Sequence, residues 1–159
     1  MNEQCVFCRI IAGEEMVSIV HEDDRVVAFL DIQPYSPGHT LVVTRAHHDD
    51  IFDVPADLAA HCLAVARRLG AGIREATGAQ ALNIFSANGA AGGQDVRHFH
   101  LHLIPVKEGE HFDLQLPKAG VPVPSRSALD VMAARVGRAC QEVRDDADSR
   151  SKRAKAPAG

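Results

Sequence analysis

The chain has 159 residues, 46% apolar and 24% charged, which suits one domain with a proper core and excludes a disordered polyelectrolyte. Net charge is −4, but residues 144–159 hold five of the 17 basic groups and three of the 21 acidic ones, so the remainder is near −6 and has no general positive field for nucleic acid. No N-terminal apolar run is long enough for a signal peptide or a membrane span, and the four cysteines do not form a disulfide scaffold, which points to a reducing, cytoplasmic setting.

In chain order, Cys5-x-x-Cys8 leads into Phe7, Ile10 and Ile11, spaced for one helical turn. Val17 to His21 and Arg25 to Leu30 read as strands joined by a turn at Glu22-Asp23-Asp24. Residues 31–38 are loop, since two prolines and a glycine forbid a regular element. Thr40 to Thr44 is apolar enough on both faces to be a buried strand. Asp53 is placed to cap a helix with Pro55 in its first turn. That helix should run to Thr77, bury Leu58, Cys62, Val65, Leu69 and Ile73, and stop at Gly78. Ala81 to Ser86 and Val96 to Ile104 are the fourth and fifth strands. Lys107 to Pro124 shows no period. Ser127 can cap a second helix carrying Leu129, Met132, Val136, Cys140 and Val143, and residues 146–159 have too little to bury and should be disordered. No internal repeat is present. The expected class is α+β, an antiparallel sheet of about five strands with one long helix and a C-terminal helix, in a single domain over 1–145.

The chemistry gathers in Arg97-His98-Phe99-His100-Leu101-His102-Leu103-Ile104-Pro105. Alternate side chains of a strand point to opposite faces, so three imidazoles share one face while Phe99, Leu101 and Leu103 enter a core. The preceding Gly92-Gly93-Gln94-Asp95 turn brings bare backbone against that strand. Amide donors beside imidazoles suit a phosphate. Cys5-x-x-Cys8 independently offers half of a tetrahedral zinc site. A redox role fits it less well, because no βαβ pattern surrounds it.

The His-φ-His-φ-His-φ-φ segment resembles the histidine triad (HIT) family, in particular its bacterial Hit/Hint-like branch with an N-terminal Cys-x-x-Cys. Residues 5–14, Phe29-Leu30-Asp31-Ile32 and Pro37-Gly38-His39-Thr40-Leu41-Val42-Val43 resemble the family's earlier blocks in order. The resemblance implies the HIT-like fold and a homodimer. It also implies a purine nucleotide substrate, with His100 attacking the α-phosphorus to give a nucleotidyl-histidine that water cleaves. His102 and His39 would help hold the phosphate oxygens, with the amides of Gly93, Gln94 and Asp95, and Val96 would also lie at the nucleotide. Asp31 would accept hydrogen bonds from the ribose hydroxyls, which a carboxylate does well. Phe7, Ile10, Ile32 and Leu41 would form the slot for the base, and Asn88 would lie nearer the phosphates.

The third triad position is usually glutamine in the family's transferase branches, and His102 there favours hydrolysis. Asp95 departs from a frequent serine, and a carboxylate beside phosphate is repelled, so Asp95 is expected to contribute mainly its amide. Ala87 stands where some members have asparagine. The resemblance completes a structural zinc site with His47 and His98, with His48 an alternative to His47. His21, His61 and His111 read as surface residues. The leading reading is hydrolysis of phosphoramidate or adenylate-type substrates releasing a nucleoside monophosphate. A Fhit-like hydrolase of dinucleotide polyphosphates, a nucleotide-binding protein with little turnover and a zinc-stabilised interaction module remain open alternatives. No nucleic-acid or membrane partner is expected.

Overall fold

The structure is a computed structural model that describes residues 4–110 and 124–154, with side chains as far as Gln141. The chain divides into two units near residue 112. The first holds helix α1 (Val6–Ile11), strands β1 (Ile19–Glu22), β2 (Val26–Leu30) and β3 (Thr40–Thr44), helix α2 (Ala56–Thr77), and strands β4 (Ala81–Phe85) and β5 (His100–Val106). The five strands form one antiparallel sheet in the order β1-β2-β3-β5-β4. Because β3 and β4 both pair antiparallel with β5, they run parallel to each other. Such strands need a long crossover, which α2 supplies.

The pleat sorts side chains to two cores. Val26, Ala28, Val42, Phe99, Leu101 and Leu103 pack with Leu58, Cys62, Val65 and Ile73 of α2. Val27, Phe29, Leu41 and Val43 face the other way and pack with Cys5, Phe7 and Cys8. β3 is therefore buried along its whole length. The α2 stripe also includes Ala66 and Gly70, a hydrogen-sized gap where a Cβ would lie 2.6 Å from Leu82 Cδ2.

One lateral row of paired residues, Ile19–Phe29–Leu41–His102–Phe85, crosses all five strands. Neighbouring strands lie about 4.8 Å apart, so this row measures distance across the sheet.

Several local expectations shift. Asp53 does not cap α2. Its carboxylate accepts the Asp49 amide at 3.1 Å and faces His48 Nδ1 at 3.4 Å, while Pro55 is the N-cap residue. Gly78 ends α2 in the left-handed conformation, as expected. The fifth strand starts only at His100, because residues 96–99 turn to meet the 44–48 segment, with the Phe99 amide donating to the His48 carbonyl at 2.6 Å.

His21 and His61 are half-buried rather than surface residues. Both approach Asp23 Oδ2, at 3.4 and 2.9 Å, tying the β1–β2 turn to α2. Partial burial of Asp23 pushes its pKa up, but the Arg25 and Val26 amides and the two imidazoles outweigh that and hold it well below the usual carboxylate range. His111 lies outside the described residues, as does most of the Lys107 to Pro124 stretch.

The second unit contains α3 (Arg126–Ala154). Ser125, not Ser127, takes the capping role, its Oγ accepting the Ala128 amide at 3.2 Å. Leu129, Met132 and Val136 are exposed, as is Cys140. The helix continues through Ala154 into the stretch expected to be disordered. Ala, Arg and Lys favour helix by propensity, and no glycine or proline interrupts residues 146–154. Residues 155–159 lie outside the described residues.

Gly38 has φ +91°, and a Cβ there would sit 2.6 Å from Thr77 Cγ2. Gly38→Ala should therefore cost about 3 kcal/mol in urea unfolding, combining left-handed backbone strain with overpacking. Gly78→Ala, with φ +71° and nothing within 4 Å of the new Cβ, should show the backbone part alone, about 1 kcal/mol. Equal costs at the two positions would show that Gly38 is needed only for its φ.

Candidate functional site

A cavity of about 470 Å³ lies on the α1 face of the sheet, within the usual range for a small-molecule site. Phe29, Leu41, His102 and Phe85 of the lateral row contribute to it, so it extends across four strands. Of the residues expected to bind nucleotide, Phe7, Ile10, Asp31, Ile32, Leu41, Gly93, Gln94, Asp95 and Val96 line it, together with His100 and His102.

His100 is 5% exposed and lies edge-on to Phe7, with ring centroids 5.1 Å apart. Its Nδ1 lies 2.6 Å from the His98 carbonyl oxygen. A carbonyl only accepts, so Nδ1 carries the proton and Nε2 keeps its lone pair. Burial lowers the His100 pKa, opposed in part by the His98 carbonyl and by the charges of Asp31 and Asp95. The ring is a neutral base at pH 7.

His102 is oriented through two further groups. The Tyr35 amide donates to His39 Nδ1 at 3.3 Å, which makes His39 Nε2 the protonated nitrogen. Nε2 lies 2.9 Å from His102 Nδ1 and donates to it. His102 is then left with an Nε2–H. Burial, with His100 and His39 nearby, brings its pKa down to about 4, so the ring is neutral at pH 7. Burial likewise lowers the His39 pKa, Asp31 opposing. Phe85 stacks on His102 with centroids 4.3 Å apart and planes 4° from parallel.

His39 itself is 1% exposed and does not line the cavity. It was expected to touch phosphate oxygens; the structure places it behind His102, where it fixes a tautomer. Asn88 also lies off the cavity, accepting the Ile51 amide at 2.8 Å and donating to the Ser86 carbonyl at 3.0 Å. The phosphate cradle narrows as well. The Gly93 and Gln94 amides already bond to the Ala90 and Gly89 carbonyls inside the turn. The Gln94 side chain is used too, bridging the Gly89 amide and the Asp49 and Val96 carbonyls. The amides of Asp95 and Val96 make no hydrogen bond among the described residues. Tyr35 and Phe85 were missed because their roles depend on a loop path and a strand register that no sequence pattern encodes.

Cys5, Cys8, His47 and His98 form a second cluster, with one ligand atom from each lying within 4.8 Å of the others. Cys8 Sγ is 3.3 Å from His47 Nδ1, and Cys5 Sγ is 3.4 Å from His98 Nδ1. His98 Nε2 donates to the Thr44 carbonyl at 2.7 Å, and His47 Nε2 meets Asp49 Oδ1 at 3.1 Å. Both Nδ1 lone pairs therefore aim at the sulfurs, with the second nitrogen held as metal-bound histidines require. Donor types, spacing and tautomers fit a tetrahedral zinc ion. His48 turns instead toward Asp53. All four cysteines are free thiols.

An open antiparallel sheet whose His-φ-His-φ-His segment sets its last two histidines in a cavity beside a short helix defines a class of small α+β domains. The HIT domain profile matches residues 12–109, and the chain belongs to the HIT family. It is 38% identical over 103 residues to Protein hit of Bacillus subtilis, covering 65% of this chain and 71% of that one. Adenylylsulfatase HINT3 of Arabidopsis thaliana is 36% identical over 108 residues, 68% of this chain and 55% of the relative. Adenosine 5'-monophosphoramidase HNT1 of Saccharomyces cerevisiae is 32% identical over 108 residues, 68% of this chain and 66% of the relative. Among solved structures, a Zn-bound histidine triad family protein from Mycobacterium smegmatis superposes with TM-score 0.66 and 32% identity, covering 91% of this chain and 97% of that one.

Proposed function

We propose that the protein is a purine nucleotide-binding hydrolase that releases a nucleoside monophosphate from phosphoramidate or adenylate-type substrates through a nucleotidyl-histidine. The observation that carries the reading is the His100 tautomer: the His98 carbonyl takes the Nδ1 proton and leaves an Nε2 lone pair on a ring that lines the cavity. That lone pair forms the N–P bond while the bond from phosphorus to the leaving group breaks. The leaving group departs with the electron pair and takes a proton from water. A water oxygen then bonds to phosphorus, the N–P pair returns to His100, and the water proton passes to solvent. Two easier steps replace one difficult one.

The His102 Nε2–H and the Asp95 and Val96 amides would hold the non-bridging oxygens throughout, in place before charge develops. Asp31, at the end of β2, would accept the ribose hydroxyls, and Phe7, Ile10, Ile32 and Leu41 would enclose the base. The plant and yeast relatives named for adenylylsulfatase and adenosine 5'-monophosphoramidase activity support the chemistry. Zinc on Cys5, Cys8, His47 and His98 would be structural, since four protein ligands leave no open position, and the Zn-bound relative supports it. A homodimer belongs to the same reading: among the described residues no strand pairs with the outer edge of β4, and Ile84 and Leu63 are exposed. Among the described residues no helix is long and apolar enough to cross a membrane.

The test is intact-mass spectrometry after rapid quench with adenosine 5'-phosphoramidate. It should show one nucleotidyl adduct per chain, lost as adenosine monophosphate accumulates. Tight nucleotide binding with neither adduct nor product would overturn the proposal in favour of a binding protein.

A further inference from the structure

Glu15 also lines the cavity, although no motif singled it out. It follows α1 in the segment that leads to β1, and the Ser18 carbonyl in that segment accepts the Leu30 amide at the end of β2, at 3.0 Å. Glu15 and Val17 therefore belong to the β1–β2 side of the cavity, whereas His100 and His102 stand on β5. Along the lateral row, Phe29 lies two strands from His102, about 10 Å, and Val17 stands beyond it. A nucleoside laid from phosphate to base covers that span.

The remaining lining at the far side, Val6, Ile10, Met16, Val17 and Phe29, is apolar. Arg9 Nε donates to Glu15 Oε1 at 3.0 Å, with the two side chains 35% and 44% exposed. A carboxylate only accepts and can take about four hydrogen bonds, so the arginine does not exhaust it.

Taking the nucleotide reading above as its basis, we infer that Glu15 selects the base, favouring purines that present adjacent N–H donors, and so guanine over adenine. Guanine offers N1–H and the 2-amino group side by side, a match for two carboxylate oxygens. Hypoxanthine offers N1–H alone. Adenine offers its 6-amino group beside an N1 acceptor, which faces a carboxylate lone pair to lone pair. This preference sets the chain apart from relatives named for adenosine compounds.

The experiment measures kcat and KM for guanosine, inosine and adenosine 5'-phosphoramidates with the native protein and Glu15→Gln. Calorimetric Kd values for the guanosine and adenosine monophosphates are measured alongside. The guanosine substrate should be favoured over the adenosine one by roughly fivefold, the scale of a partly exposed charged hydrogen bond, with inosine between. The difference should lie in KM, because the base is bound alike in ground and transition states. Glu15→Gln should bring the guanosine-to-adenosine KM ratio near one. Equal KM and Kd values across bases in the native protein, or a ratio unaltered in Glu15→Gln, would overturn the inference while leaving the hydrolase reading intact. Guanine-selective Kd values without turnover on any substrate would uphold Glu15 and overturn the hydrolase reading instead.

Discussion

Replacing His100 with asparagine should lower kcat/KM for a nucleoside phosphoramidate by roughly ten-thousand-fold, while the Kd for the monophosphate product changes less than about threefold. Asparagine keeps a side-chain N–H for the His98 carbonyl, which now lies 2.6 Å from His100 Nδ1, and so leaves the strand and cavity wall largely undisturbed. It supplies no nucleophilic lone pair. The same sample should show no nucleotidyl adduct by intact mass. His102→Gln should behave differently, since its amide N–H can still donate to a phosphate oxygen. Its loss should be nearer a hundredfold, with adduct still formed. If His100→Asn retained more than a hundredth of native turnover, the nucleophile would have to be sought elsewhere.

What could be read from residues alone follows the range of the interactions involved. Alternation along residues 98–104 placed Phe99, Leu101 and Leu103 in the α2 core and the histidines on the opposite face, because strand pleating is local. The α2 span and its stop at Gly78 were equally local. The failures lie where distant segments meet. His98 is drawn out of the strand by Thr44 and the cysteines, so β5 starts at His100 rather than at Val96, although the family resemblance had already placed His98 with the cysteines. His39 could be assigned to the site but not to its place behind His102, since that depends on the Tyr35 amide and on the register of β3 against β5. Asp53 had the right residue type for a cap, yet its carboxylate found the Asp49 amide and His48 first. The glycine turn promised three amide donors, but its own tight hydrogen bonding uses two of them.

Removing the metal should have the largest effect on stability. The protein as isolated should carry one zinc per chain by native mass spectrometry. Stripping it with a strong chelator should lower the Tm by more than about 10 °C, because burying four zinc ligands without the ion forfeits several kcal/mol. The cluster links the start of α1 to the 44–48 segment and to the entry of β5, so its loss releases three chain segments together. Cys8→Ser should cost at least as much as Cys5→Ser, since Cys8 Sγ approaches both histidines, at 3.3 Å from His47 Nδ1 and 3.7 Å from His98 Nδ1. Cys62→Ser is the control: Cys62 is fully buried in the α2 core and outside the cluster, so its smaller penalty should be the same with and without chelator. Nucleotide affinity should weaken with the metal gone, because Phe7 stands between the two cysteines and against His100. A metal-free protein with native Tm and native affinity would reduce the four residues to a packed thiol–imidazole cluster and remove the zinc from the account.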